Sequence, residues 1–335
     1  MHTGKRFTPL EFAKWTRKDT YWMLLLATVP TILYELGLKF LAIPLAPVAI
    51  LGTSVAFIVG FKNNASYSRL WEARQIYGSI INDSRSFAYT LRDALGTDNN
   101  NIIQRMFYRH FAWLTALRYQ LREPRSWENM QRHSNQEFQK EHYNIPERQT
   151  TLEDELLKFL SHEERQYILS KKNRATQLTA LQSEELAALR QKGLINDFQW
   201  TQLQQGLMKF TDDQGRAERI KNFPYPRNFS SIATYLLFIF VVMVPFGLLR
   251  EFDKLGVGTF LEGYSIWLNI PFSAVVTWAF HTLDTVGESS VNPFEGSAND
   301  VPITQISRTI EIDMRDMLNE SALPAPVMPE NNIVL

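Results

Sequence analysis

FLAIPLAPVAILGTSVAFIVGFKNNASYSRLWEARQIYGSIINDSR, residues 40–85, decides how this chain folds. The first twenty-two of these residues, Phe40 to Phe61, carry no charge and lie between Lys39 and Lys62. A helix rises about 1.5 Å per residue, so the run is long enough for a hydrocarbon core of about 30 Å. Nothing then stops the helix. Asn64, Tyr67, Arg69, Trp71, Glu72 and Arg74 follow with no Pro and no Gly among them. The pattern predicts a membrane helix that runs straight on into water. Thr53, Phe57 and Phe61 recur every four residues, which puts all three on one helical face. Gly52 and Gly60 offer small surfaces where another helix can approach.

A stripe of Thr and two Phe has two readings. On pattern alone it is more often a helix-packing surface. As a functional element it is a ring of apolar side chains that gates a pore by dewetting. One helix cannot enclose a pore, so the second reading requires several copies of the chain.

The 335 residues are 45% hydrophobic with zero formal net charge, and the mean hydropathy is -0.21. Those averages hide clumping into four nearly charge-free windows. A neutral chain gives no reason to expect nucleic-acid binding. The absence of Cys excludes disulfides, thiolate metal sites and a Cys nucleophile. The six His (His2, His110, His133, His142, His162 and His281) form no HExxH and no His-x-x-His cluster. No GxSxG elbow and no phosphate-cradling loop supports an enzyme. Neither a metal nor a cofactor is expected.

In chain order, residues 1–20 form a basic N-terminal segment. Residues 21–62 hold two membrane helices: Tyr21 to about Leu38, interrupted by Glu35 and with Pro30 inside it, then Phe40 to Phe61. The apolar N-terminal run lacks a small-x-small cleavage site, so it is read as a retained helix. Residues 63–227 read as a helical domain, with a polar break at Gly96 to Asn101 and a capping box at Ser161 and Glu164. Residues 228–285 hold two more membrane helices, Asn228 to Leu249 and Gly263 to Leu283, the latter with Pro271 in its middle. A loop and an amphipathic helix occupy 286–318, and the Pro-rich tail 319–335 reads as flexible. Basic residues gather in the N-terminus and the long insert and are sparse in the short loops. The positive-inside rule therefore puts both termini and the insert in the cytoplasm. The fold class expected is an all-α membrane protein with four transmembrane helices and a cytoplasmic helical domain.

Two motifs then become recognisable. Gly60-Phe61-x-x-Asn64-x-x-Tyr67-x-Arg69-x-Trp71-Glu72-x-Arg74, followed by Gly78, Asn82, Ser84 and Arg85, resembles the bacterial bestrophin-like family. So does Asp284-x-x-Gly287, then Asn292-Pro293-Phe294, then Asn299-Asp300-x-Pro302. The four apolar segments match in order and spacing, so the resemblance covers the chain up to about Leu318.

The resemblance implies a homopentameric channel for small monovalent ions in a bacterial inner membrane, with the chain itself, the ions and the lipid bilayer as partners. Thr53, Phe57 and Phe61 fall where the family places its pore neck. The family also has a second constriction before the third segment, for which Ile195 is the candidate. Anions, chloride first, are the expected cargo. A sodium-selective channel of the same architecture and a non-conducting membrane scaffold are the alternatives.

This chain departs from the family in three places. Leu70-Trp71 stands where members carry two Trp. Thr53 replaces a common aliphatic residue, which predicts a slightly wetter neck. Glu295 and Asp300 are too few acids for the calcium clasp of animal members, since calcium takes about six to eight oxygen ligands. These two read instead as helix capping and inter-subunit packing. Arg69, Glu72, Arg74 and Arg85 read as inter-helix ion pairs or as charges at the cytoplasmic mouth of a pore.

Overall fold

The computed structural model describes residues 1–131, 133–255, 257, 258 and 260–335. Among them are eleven α-helices and no strand. In order they are α1 (Pro9–Glu35), α2 (Leu45–Leu95), α3 (Asn100–Arg122), α4 (His133–His142), α5 (Leu152–Leu156), α6 (His162–Leu169), α7 (Arg174–Gln191), α8 (Asp197–Asn222), α9 (Arg227–Leu255), α10 (Asn269–Ser289) and α11 (Ile303–Met317). The sequence patterns predicted an all-helical chain, and α2 is a single uninterrupted helix of 51 residues.

The chain divides into two compact units. One comprises residues 4–68 and 224–291, and the other residues 1–3, 69–223 and 292–335.

In the first unit Val48, Val55 and Val59 of α2 pack with Leu237, Phe240, Val241 and Val244 of α9. Close approach is built into this seam. A Cβ on Gly52 would lie 2.7 Å from the Phe240 ring, so any larger residue would force that ring to move. Gly60 meets nothing and lies on the uncovered side. The fully buried Asn269 ties three helices together. Its Nδ2 donates to Thr31 Oγ1 (2.9 Å) and to the Pro245 carbonyl (3.1 Å), and its Oδ1 accepts from Ser273 (2.8 Å).

Among the described residues, three helical stretches are long and apolar enough to cross a membrane: Lys39–Leu95, Arg227–Leu255 and Ser265–Ser289. α1 is not among them, because only fifteen uncharged residues separate Asp19 from Glu35. At about 1.5 Å each these fall short of about 30 Å. Pro271 does not sit in mid-helix. A 3-10 turn covers Ser265–Leu268 and α10 starts at Asn269, which places Pro271 in the first turn. A missing backbone N–H leaves no helical bond unmade there.

In the second unit the C-terminal half of α2 packs into a large apolar core with α3, α7, α8 and α11. His110 is fully buried there, bonded to Ser84 (2.9 Å) and ringed by Phe87, Trp113 and Phe210. Burial pushes its pKa down to about 3, so the imidazole is neutral and serves as core. Ser161 caps α6 by accepting from the Glu164 backbone N–H (3.3 Å).

The end of the tail 319–335 is packed. Ile333, Val334 and Leu335 are buried, and Ile333 and Leu335 join Met130, Tyr143, Ile145 and Ala298 in one cluster. Backbone bonds run from Val334 to Met1 (2.9 Å), from Thr3 to Asn332 (2.7 Å) and from Gln305 to Leu335 (2.7 Å). The prolines that suggested disorder precede an apolar end that fills a pocket.

Candidate functional site

The site begins with the two faces of α2. Val48, Gly52, Val55, Val59, Lys62 and Ser66 are buried, whereas Thr53, Phe57, Phe61, Asn64, Tyr67 and Trp71 are exposed. Phe57 is 67% and Phe61 58% exposed, so most of each ring is left uncovered within the protomer. Their rings meet edge to face, centroids 4.4 Å apart, and make one apolar wall along the helix. The Thr53 hydroxyl donates to the Ala49 carbonyl (3.0 Å). Its proton is engaged inside the helix, which makes this level less wet than a free hydroxyl would.

One residue beyond the stripe lies a feature that sequence reasoning missed. Lys62 is only 2% exposed. Its ammonium donates to Asp284 Oδ1 (2.7 Å) and Glu288 Oε1 (3.1 Å) on α10. Asn63 Nδ2 donates to the Leu283 carbonyl (3.0 Å), and a Cβ on Gly287 would collide with Asn63 Oδ1. This clamp fixes the rotation of α2 beside Phe61. The partner of Asp284 is Lys62, while His281, one turn earlier on the same helix, faces Asp19 (3.5 Å). Only the apolar run ending at a Lys, with an acid near the end of another such run, signalled the pair.

Further along α2, Arg69 donates to the Ile220 carbonyl (2.9 Å) and Glu72 pairs with Arg219. Arg85 pairs with Asp313 (2.6 Å). Arg74 is exposed and has no carboxylate partner among the described residues.

Ile195 requires correction. It is 3% exposed and belongs to the core of the second unit, so it cannot line an aperture. Phe198, three residues on in the first turn of α8, is 88% exposed. An apolar side chain buried beside an exposed one looks the same in sequence.

The C-terminal loop motif is buried scaffolding within one protomer. Asn292 and Pro293 are buried, and the Phe294 ring lies tilted against Tyr77, centroids 5.8 Å apart. Asp300, 2% exposed, accepts from the Gly296 N–H (2.7 Å), the Ser297 N–H (3.0 Å) and the Ser297 hydroxyl (2.5 Å). Arg122 donates to the Phe294 carbonyl (3.0 Å) and reaches Asp300 at 3.5 Å. Glu295 accepts from the Asn129 and Met130 N–H groups (2.9 and 3.3 Å). Capping and inter-subunit packing are therefore not what these acids do. Both hold loop backbone inside the protomer.

Burial, with Asp300 and Glu128 nearby, pushes Glu295 up to about 8 from its ordinary 4.5. A carboxyl whose folded pKa is raised contributes most stability below its unfolded pKa. That contribution is lost as pH rises through the window from about 4.5 to 8. Glu295→Gln is accordingly expected to gain on the parent between pH 5 and 8, by about 1–3 kcal/mol. Thermal midpoints at both pH values check this, and a gain that does not grow with pH would refute it.

Apolar helices with bare outer faces, one of which carries its stripe onward into a polar helical body, define an all-helical protein with membrane-type helices. A model of the family described as bacterial/fungal bestrophin protein matches residues 17–316. The chain belongs to the bacterial and fungal bestrophin family. It is 28% identical over 303 residues to the voltage-dependent anion channel-forming protein YneE of Escherichia coli (strain K12), covering 90% of this chain and 84% of the relative. It is 25% identical over 281 residues to the voltage-dependent anion channel-forming protein RSc3414 of Ralstonia nicotianae, covering 83% and 78%. A crystal structure of a bacterial bestrophin homolog from Klebsiella pneumoniae superposes with a TM-score of 0.75 at 22% identity, covering 90% of this chain and 98% of that one. That likeness is one of fold.

Proposed function

We propose that five copies of this chain surround a central pore that passes small monovalent anions, chloride first, across a bacterial inner membrane. The observation that carries the reading is the exposed wall of Thr53, Phe57 and Phe61 on a helix whose opposite face is buried. An apolar wall uncovered within a protomer is completed by other copies of itself, and a ring of such walls gates by dewetting. α1 acts as a fourth span, shorter than the other three. The helical domain of residues 63–227 and both termini face the cytoplasm, and Phe198, in place of Ile195, lines the second constriction. The choice of anions rests on the relatives, which carry the name anion channel-forming protein.

The test is the reversal potential of purified protein in planar bilayers under a salt gradient. A shift to the chloride equilibrium potential is expected. A shift to the cation potential would reverse the selectivity and keep the architecture. No current from a well-formed oligomer would leave a membrane scaffold as the reading.

A further inference from the structure

The stripe on α2 is bracketed by two close approaches to other helices. One residue before Thr53, Gly52 meets the Phe240 ring of α9. Two residues after Phe61, Asn63 meets Gly287 of α10. The second contact is the tighter. A Cβ on Gly287 would lie 1.8 Å from Asn63 Oδ1, 2.9 Å from Asn63 Cγ and 3.6 Å from Asn63 Cα, where ordinary van der Waals contact begins at 3.4 Å.

Asn63 has little room to yield. Its Nδ2 donates to the Leu283 carbonyl, one turn before Gly287 (3.0 Å), and this bond holds the amide in place. Its Oδ1 is buried and accepts no hydrogen bond from a described residue. Lys62 also bonds α10, but through a long flexible stem whose ammonium serves two carboxylates. Lys62 sets which face of α2 meets α10. The short amide on a bare Cα sets how closely they meet.

Helix geometry links this seat to the stripe. Residues follow one another at about 100° round a helix, so Phe61 stands about 200° round from Asn63. Asn63 faces α10, and Phe61 faces away from it, 58% exposed. Phe57 moves with Phe61, since both stand on one face and their rings touch at 4.4 Å. A change in the spacing of α2 and α10 at this level therefore displaces both rings.

We infer that Asn63 and Gly287 are positioning residues for the neck: their contact sets how far α2 stands off α10, and so how far Phe57 and Phe61 reach into the pore. The inference rests on the pore reading of the stripe, and it carries a sign. A Cβ on Gly287 pushes α2 off α10, drives the rings toward the axis and narrows the neck. Removing the Asn63 side chain lets α2 settle toward α10 and widens it. An apolar constriction passes ions only when water fills it, so small displacements of the rings act strongly on current.

The experiment measures current per oligomer for the full chain in planar bilayers. Gly287→Ala is expected to lower basal current about fivefold or more. Adding Asn63→Ala removes the collision and should return the current at least to the parent's level. In the Phe57→Ala, Phe61→Ala background, Gly287→Ala should change the current by no more than about twofold, because no rings remain to be displaced. A generally loosened fold would lower current in both backgrounds, and that result would overturn the inference. So would an unchanged current in Gly287→Ala, or no recovery on adding Asn63→Ala. If Gly287→Ala does not assemble, Asn63→Ala alone decides: a current above the parent's is expected, and one at or below it sinks the inference. Should the Phe57→Ala, Phe61→Ala variant conduct no more than the parent, the pore reading fails. Should it conduct more while Gly287→Ala matches the parent, the positioning role fails alone.

Discussion

Lys62→Met is expected to lower the thermal midpoint of the detergent-solubilised protein by on the order of 10 °C. The ammonium is 2% exposed and bonded to Asp284 at 2.7 Å and Glu288 at 3.1 Å. Removing it strands two carboxylates, one of them only 6% exposed, against each other. Breaking one partner out of a buried ion pair costs about 3–5 kcal/mol, because the remaining charge keeps its desolvation penalty. The triple variant Lys62→Met, Asp284→Asn, Glu288→Gln should recover most of the loss, since no charge is then left unpaired. A single variant that melts within about 2 °C of the parent, at roughly 2–4 °C per kcal/mol, would mean that water or protons already satisfy the carboxylates. Because Phe61 is the next residue, the clamp also bears on the stripe. It holds α2 to α10 at the level where the Phe61 ring must face outward.

The long second helix was legible because its signals are local. No Pro or Gly interrupts residues 61–77, and a four-residue spacing needs no knowledge of the rest of the chain. The same periodicity put Thr53, Phe57 and Phe61 on one face, but that this face is uncovered in the protomer came only with the structure. The clamp was not legible, because Lys62 and Asp284 are 222 positions apart and nothing local to either says which charge it meets. Ile195 failed for a related reason. Ile195 and Phe198 are both apolar and three apart, and only the packing of the whole unit decides that Ile195 turns inward and Phe198 outward. The tail misled because Pro324, Pro326 and Pro329 outweighed three apolar residues whose site is assembled from residues 130, 143, 145 and 298. Glu295 and Asp300 read as capping and inter-subunit packing because their actual donors are loop N–H groups, which every residue but Pro carries and no sequence pattern marks.

The double variant Phe57→Ala, Phe61→Ala is expected to raise basal current about tenfold or more in bilayers. Each ring is more than half exposed, so the protomer loses little packing and the variant should fold and assemble. On the proposed oligomer, what changes is the desolvation barrier in a ring formed by the stripe of every copy. An ion crosses such a constriction only when water fills it, and replacing phenyl groups by methyl groups widens and wets it. Tenfold in rate corresponds to about 1.4 kcal/mol off the barrier, a small share of what several rings together exclude. Thr53→Val should move the current by no more than about twofold, because the hydroxyl proton is already bound to the Ala49 carbonyl and the side chain keeps its size. If the double variant forms the parent's oligomer and conducts no better, the stripe is a packing surface between copies. The neck would then lie elsewhere along the exposed face of α2.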